Sequence, residues 1–420
     1  MINSGDTAWV LISAALVLFM TPGLAIFYAG MVRAKSALNM MMMSFSAIGI
    51  TTMIWVIYGY SLAFGKSHGG LIGNLDHLGL ANTLDQLSGS EGHQIPALAF
   101  AMFQLTFAII TVALLSGAIA DRAKFSSWLI FVGVWITLVY LPIAHWAFAS
   151  QGGSGGWIID KLGALDFAGG TVVEINSGAA ALALALVLGK REGFKTESMR
   201  PHNMPLVLLG AGMLWFGWFG FNAGSALSAG SLAATAMINT QICTAAAAMS
   251  WVLLERFRDG KATTLGIASG AIAGAVAITP ACGYVNPLGA LVIGLIAGAL
   301  SAFAVSRKYK WGYDDSLDVV GVHGIGGLLG MLGIGFLATT TANSAGGLGL
   351  LNGGGTDLLG KQAIAIIATA AFSFTATWLI ATIISKTVGF RASRVDELTG
   401  LDTVYHAESA YDISGNANRY

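Results

Sequence analysis

Two side chains in this 420-residue sequence stand where ionisable groups are costly to place. Glu174 lies within the apolar stretch 166–189 and His323 within the apolar stretch 316–338. A carboxylate and an imidazole in such settings either pass a proton or pin two helices by a hydrogen bond. Their placement favours the first use. Glu174 stands eight residues beyond Asp166, about 12 Å along a helix, and His323 five residues beyond Asp318, about 8 Å. If the two stretches run in opposite directions and pack together, the two groups meet near the middle.

A second group of residues has the spacing of a cation site. Phe103 and Phe107 fall at i,i+4, Phe148 ends another apolar stretch, and Trp218, Phe221, Asn222 and Ser225 fall on one helix face. Ring faces attract a small cation, and a hydroxyl supplies a hydrogen-bond acceptor. Spacing alone favours the other explanation, the aromatic belt of a membrane interface. Asp166 is either a helix N-cap or a charge that orients this outer group. Asp314, Asp315 and Asp318 read as caps or loop partners. The segment Gly152-Gly-Ser154-Gly-Gly156 matches G-x-S-x-G, with His145 nearby, but no strand leads into it as a nucleophile elbow requires. A flexible outer loop is the better reading, so no enzyme is expected. Cys243 and Cys282 offer neither a disulfide framework nor a metal site, and no cofactor motif occurs.

The elements that hold these residues follow from composition. Hydrophobic residues make up 55% of the chain and charged ones 10%, against about 25% charged in soluble domains. Net charge is zero, so no basic footprint argues for nucleic acid. The mean hydropathy of +0.72 over this length exceeds what one water-soluble core accounts for. The chain reads as an all-α polytopic membrane protein. Its expected spans are 7–32, 39–65, 95–120, 125–149, 166–189, 204–226, 230–254, 262–281, 285–306, 316–338 and 361–385, eleven helices each suited to a hydrocarbon core of about 30 Å. Connections on one side hold 18 of the 21 Lys and Arg residues, and Lys66, Lys161 and Lys361 lie on the other. The basic side is therefore cytoplasmic, the N-terminus outside and the C-terminus inside. Asp6 before the first stretch, with Arg33 and Lys35 after it, argues for a retained helix and not a cleaved signal peptide. Paired fragments hint at an inverted repeat of five helices and five: Phe27-Tyr-Ala-Gly30 with Phe221-Asn-Ala-Gly224, and Leu165-Asp166 with Leu317-Asp318. Gly324, Gly326, Gly327 and Gly330 suggest close helix packing.

Longer blocks carry a resemblance. These are Gly163-Ala-Leu-Asp-Phe-Ala-Gly-Gly-Thr171, Trp215-Phe-Gly-Trp-Phe-Gly-Phe-Asn-Ala-Gly-Ser225, Asp318-Val-Val-Gly-Val-His-Gly324 and Gly400-Leu-Asp-Thr-Val-Tyr-His-Ala-Glu-Ser-Ala-Tyr411. From about Thr7 to Asp412 the chain resembles the ammonium transporter (Amt/Mep/Rh) family, on its bacterial Amt side. The resemblance implies an eleven-helix bundle with an inverted five-plus-five repeat, assembled as a homotrimer with one narrow pore per protomer. It implies a gate of stacked phenylalanines at Phe107 and Phe221, an outer cation site at Phe103, Phe107, Phe148, Trp218 and Ser225 with Asp166 beside it, and a pore pair at Glu174 and His323. Glu174 stands where most members have the first pore histidine, as in some fungal members. Phe148 stands where tryptophan is usual, which weakens the cation–π attraction and leaves a roomier mouth.

The function implied by this resemblance is a multi-pass transporter of the plasma or inner membrane, taking ammonium and tolerating some methylammonium. It deprotonates ammonium, and conducts ammonia and a relayed proton, in an electrogenic cycle. The division is a transmembrane domain over 1–385 and a cytoplasmic regulatory tail over 386–420, the latter helping to dock a PII-type signal protein. The alternative is an ammonium sensor acting through a cytoplasmic partner, although the 35 residues after Ser385 are short for an appended signalling domain.

Overall fold

The computed structural model describes residues 1–411; residues 412–420 of the expected tail, Arg419 among them, lie outside the described residues. Among the described residues, ten helices are long and apolar enough to cross a bilayer. They are α1 (Ser4–Met31), α2 (Ala34–Phe64), α3 (Ala97–Ile119), α4 (Phe125–Phe148), α5 (Gly170–Leu188), α6 (Met204–Gly224), α7 (Ser231–Asp259), α9 (Pro287–Trp311), α10 (Val320–Leu337) and α11 (Asp357–Thr387), with the shorter apolar α8 (Thr264–Ile278) between α7 and α9. Lipid offers the backbone no partners, so sequences this apolar form helices that satisfy their own N–H and C=O groups. Large apolar side chains such as Phe216, Leu288, Phe303 and Ile367 point outward from the bundle, as suits a protein surrounded by hydrocarbon.

Several ends differ from the sequence expectation, for identifiable reasons. The eighth stretch, expected over 262–281, is helical only over Thr264–Ile278; Pro280, two residues on, has no N–H with which to continue the ladder. The fifth begins at Gly170 and not at 166. The Asp166 carboxylate accepts the N–H groups of Gly169, Gly170 and Thr171 at 2.6–2.8 Å, so it precedes the helix and caps it. The tenth begins at Val320 and not at 316. Asp318 is left-handed at φ 66°, and Asp315 Oδ2 accepts the Val320 N–H at 2.7 Å. Glu174 and His323 thus stand only four and three residues inside their helices, both on wide π turns, Gly170–Ile175 and Val320–Gly324. Such turns are rare and concentrate at functional sites.

Two short hairpins, β1 (Ser67–His68) with β2 (Ile72–Gly73) and β3 (Leu87–Ser88) with β4 (Ile95–Pro96), fold the connection between α2 and α3. At the Lys- and Arg-rich end, α12 (Arg394–Thr399) and α13 (Leu401–His406) lie against the connections. Arg391 pairs with Glu397 at 2.7 Å, and Glu397 accepts the Glu192 N–H at 3.0 Å. Asp402 accepts the N–H groups of Leu38 at 3.0 Å and Asn39 at 2.8 Å, where α2 begins. The tail therefore ties itself to the start of α2 and to the α5–α6 connection.

Candidate functional site

The mid-bundle pair depends on how closely α5 and α10 cross. A Cβ on Gly178 would sit 2.2 Å from the Gly324 Cα, inside any real contact, so the backbones touch because that position has no side chain. One turn before Gly178, Glu174 Oε2 meets His323 Nδ1 at 2.7 Å. Both side chains are buried. A proton on Nδ1 donates to the carboxylate and leaves Nε2 as an acceptor. Glu174 Oε1 is buried and accepts nothing among the described residues.

Both groups line a narrow cavity with Tyr28, Ile110, Leu114, Val173, Trp218, Phe221 and Leu317 among its walls. The space open to the centre of a water-sized sphere is about 20 Å³, and a single water needs about 10–15 Å³. Such a space holds one small molecule at a time. Its walls are almost wholly apolar, so a bare cation would lose its hydration with little in return. Glu174 and His323 are the ionisable exceptions, with Tyr28, whose hydroxyl donates to the Leu114 carbonyl at 3.1 Å.

Phe221 walls this cavity on one side of a ring pair. Its ring centroid lies 4.2 Å from that of Phe107. Phe107 lines a second cavity, at the end expected to face outside, of about 150 Å³ with Phe103, Gln104, Phe148, Asp166, Phe167 and Ser225. Phe103 and Phe148 stand edge-on to Phe107 at 4.9 and 6.3 Å. Ser225 Oγ donates to the Phe221 carbonyl at 2.8 Å, which leaves its lone pairs free. Asp166 accepts four bonds, the fourth from Thr171 Oγ1 at 2.5 Å. It acts as a cap and also lines the cavity.

Trp218 departs from the expected outer group. It lines the inner cavity instead and donates its indole N–H to Thr279 Oγ1 at 2.9 Å. The three-position step from Trp218 to Phe221 is nearly a full turn along α6, enough to carry the indole past the ring pair. The hydrolase reading of Ser154 finds no support. Its hydroxyl donates to the Gln151 carbonyl at 2.9 Å, whereas His145 is held by Ser67 Oγ and the Ala63 carbonyl, each at 2.8 Å.

Three residues escape the sequence reading. Gln104 is a polar residue inside the apolar run 95–120, the one signal that marked it. Tyr28 carries a hydroxyl at the inner cavity but looks like any membrane tyrosine. Gln362 holds Leu165, just before Asp166, by its N–H at 2.8 Å and its C=O at 2.7 Å. Nothing in sequence separation announces that clamp.

Comparison with known proteins identifies the family of the chain. The sequence profile of the Ammonium Transporter Family matches residues 8–411. An ammonium transporter of Mycobacterium tuberculosis is 52% identical over 434 residues, covering 98% of this chain and 91% of the relative. The crystal structure of Saccharomyces cerevisiae Mep2 superposes with a TM-score of 0.86 at 35% identity, covering 94% of this chain and 91% of that one. A solved structure described as a sensor Amt protein superposes at 0.87 with 30% identity, covering 96% and 98%. The chain belongs to the ammonium transporter family, a family of multi-pass membrane transporters and not of enzymes.

Proposed function

We propose that the chain carries ammonium across the cell membrane by splitting it into ammonia and a proton. Ammonium is recruited in the outer cavity by the rings of Phe103, Phe107 and Phe148 and the hydroxyl of Ser225, with Asp166 fixing the local charge. The Phe107–Phe221 pair is the gate. Beneath it Glu174, standing at the position of the family's first pore histidine, takes the proton and exchanges it with His323, while ammonia follows the apolar passage. One net charge moves per ammonia. Methylammonium is a poorer passenger, tolerated because Phe148 leaves a wide mouth.

The observation that carries this reading is the Glu174–His323 contact of 2.7 Å, with a free carboxylate oxygen, in the wall of a cavity one small molecule wide. Two acids or bases in contact titrate as a unit, which suits a group that must receive and release the same proton. The wider frame is eleven spans in an inverted five-plus-five repeat, N-terminus outside and C-terminus inside, in a homotrimer with a pore in each protomer. Thr264–Ile278 supplies the short eighth span.

Residues 1–385 form the transport domain, and the tail over 386–420 regulates it. The tail's bonds to Leu38, Asn39 and Glu192 support that division, and a PII-type signal protein is the partner proposed at this face. Binding of purified PII-type protein to the full chain, and its loss from a chain ending at Phe390, checks the partner.

The decisive experiment is ammonium-evoked current in proteoliposomes with parallel uptake of labelled methylammonium. Current that saturates with ammonium is expected. The likeness to a sensor Amt protein favours a second reading, in which the chain binds ammonium and signals with little flux. Saturable binding without current or uptake would decide for the sensor.

A further inference from the structure

The turn that carries Ser225 is held from outside by a single bond. Residues 225–230 join α6 to α7. Ser225, Ala226 and Leu227 each donate their N–H to the carbonyl three residues back, at 3.2, 3.3 and 2.9 Å, so α6 tightens as it ends. Leu227 is then left-handed at φ 54°, a conformation that costs a bulky residue energy and persists only where its surroundings enforce it. Its side chain lines the cavity that holds Ser225, and also a further chamber of about 380 Å³ walled by Ser88 and His93 of the β3–β4 hairpin. Among the described residues, the one hydrogen bond tying 225–230 to anything beyond α6 and α7 runs from the Ala229 N–H to Asp6 Oδ1, at 2.7 Å.

Asp6 is buried near the start of α1. Its other oxygen accepts from His93 Nδ1 at 2.8 Å, so one carboxylate joins α1, the hairpin and the turn. Three residues on, Trp9 donates its indole N–H to the Ala223 carbonyl at 3.1 Å, two residues before Ser225. The start of α1 is itself anchored. The Asn3 N–H donates to the Gln94 carbonyl at 2.8 Å, and its side-chain Nδ2 to the Gly92 carbonyl at 3.0 Å. A backbone held at both Ala223 and Ala229 leaves Ser225 and Leu227 little room to move.

We propose that Asp6, assisted by Trp9, is a positioning residue for the outer site. It holds the 223–229 backbone so that the Ser225 hydroxyl and the Leu227 side chain keep their places in the cavity wall. The inference rests on that cavity being the recruitment site. Asp6 lines neither the outer nor the inner cavity. It acts through the turn, so its loss should weaken recruitment without slowing the steps below the gate.

The test uses the full chain in proteoliposomes and reads half-saturating ammonium and maximal current separately, with the unfolding midpoint in detergent as the check on assembly. Asp6→Ala removes both acceptors. It should raise half-saturation about five-fold, the worth of the one hydrogen bond that a displaced Ser225 no longer offers. Maximal current should stay within about two-fold. Asp6→Asn keeps an acceptor for the Ala229 N–H, and His93→Ala leaves that bond in place; both should stay near the wild type. Trp9→Phe keeps a ring and removes the N–H. It should raise half-saturation about three-fold, and it judges the proposal if Asp6→Ala does not assemble. If the wild type binds ammonium without current, the same shifts are read from equilibrium binding in detergent. An unchanged half-saturation in Asp6→Ala, beside a raised one in Ser225→Ala, overturns the positioning role and leaves the recruitment reading standing. So does a fall in maximal current alone, which would make Asp6 a folding residue. Unchanged half-saturation in Asp6→Ala and Ser225→Ala alike overturns both.

Discussion

Two buried carboxylates, Asp314 and Glu174, face a basic partner on a neighbouring segment, and they are treated in opposite ways. Asp314 uses both oxygens. Oδ1 accepts from Arg191 Nη2 at 2.9 Å, and Oδ2 accepts from Arg191 N at 2.8 Å and Nε at 2.9 Å. Burial pushes its carboxyl up, but the bonds and charges of Arg191 and Arg122 outweigh that and hold it below the usual range. Glu174 accepts one bond and leaves an oxygen empty beside a cavity. A saturated ion pair holds two segments together. An unsaturated one keeps a place for a proton. On the proposed reading, a buried carboxylate beside a basic group becomes a clamp or a relay according to how many partners the fold delivers to it.

Removing the clamp should have the largest effect. Asp314→Ala leaves the buried Arg122 without its counter-charge and Arg191 with only Asp121 at 3.3 Å, and breaking a buried pair typically costs about 3–5 kcal/mol. The expected result is poor assembly and a lowered unfolding midpoint in detergent. The sign with pH comes from the depressed carboxyl. Its contribution is complete above the unfolded value of about 3.9 and is lost as pH falls through the lower folded value. A normal midpoint in Asp314→Ala would erase the contrast.

Glu174→Gln sharpens the contrast from the other side. It keeps size and one hydrogen bond but removes the proton site. Current should fall on the order of a hundred-fold, the usual worth of a positioned acid or base, with stability within about 1 kcal/mol of wild type. Glu174→His should retain transport with an altered pH profile. Unchanged current in correctly assembled Glu174→Gln would leave the Glu–His contact as a pin.

The ring pair offers a smaller test of the same kind, a group that acts against one that only packs. Phe221 is buried against Phe107, whereas Phe216 on the same helix is 57% exposed on the outer surface of the bundle. Phe221→Ser should change current several-fold by wetting the constriction. Phe216→Ser should change it little. Equal small effects would return Phe107 and Phe221 to the role of interfacial aromatics.

The bundle was legible in the sequence because apolar runs of span length, bounded by charges, have few other uses. Glu174 and His323 stood out for the same reason, as ionisable residues deep in such runs. The features that escaped depend on three-dimensional placement. Gly178 is one of 56 glycines, and only the crossing of α5 with α10 marks it, together with Gly327, as a position whose missing Cβ lets the two helices close around Glu174 and His323. The starts of α5 and α10 shifted inward because Asp166 and Asp315 capture N–H groups just ahead of the helices, which hydropathy does not register. Trp218 shares a helix face with Phe221, but periodicity could not say which side of the ring pair it would occupy. Gln104 was visible as a polar residue, and its lack of a partner was not.

The smallest expected effect concerns the segment whose G-x-S-x-G spacing pointed to an enzyme. The structure supplies another reason for that pattern. Asp160 gathers the segment around its carboxylate: Oδ1 accepts from Ser150 Oγ at 2.8 Å, and Oδ2 accepts the N–H groups of Gln151, Gly153 and Gly155 at 2.8–3.1 Å. Alternate N–H groups can converge on one oxygen because Gly152 and Gly153 are left-handed, at φ 62° and 95°. Burial raises the Asp160 carboxyl in this loop, but the four donors together outweigh it and the net shift is downward. The sign is that of a depressed acid. The loop is held above the unfolded value of about 3.9 and released as pH falls through the lower folded value. Asp160→Asn should therefore speed amide exchange over residues 151–155 at neutral pH and leave ammonium current within about two-fold, since surface changes away from a site are usually mild. The difference in exchange between the two proteins should close as pH drops below about 4. A large loss of current in Asp160→Asn would instead make this loop part of the outer mouth, on the acting side of the comparison between groups that hold and groups that act.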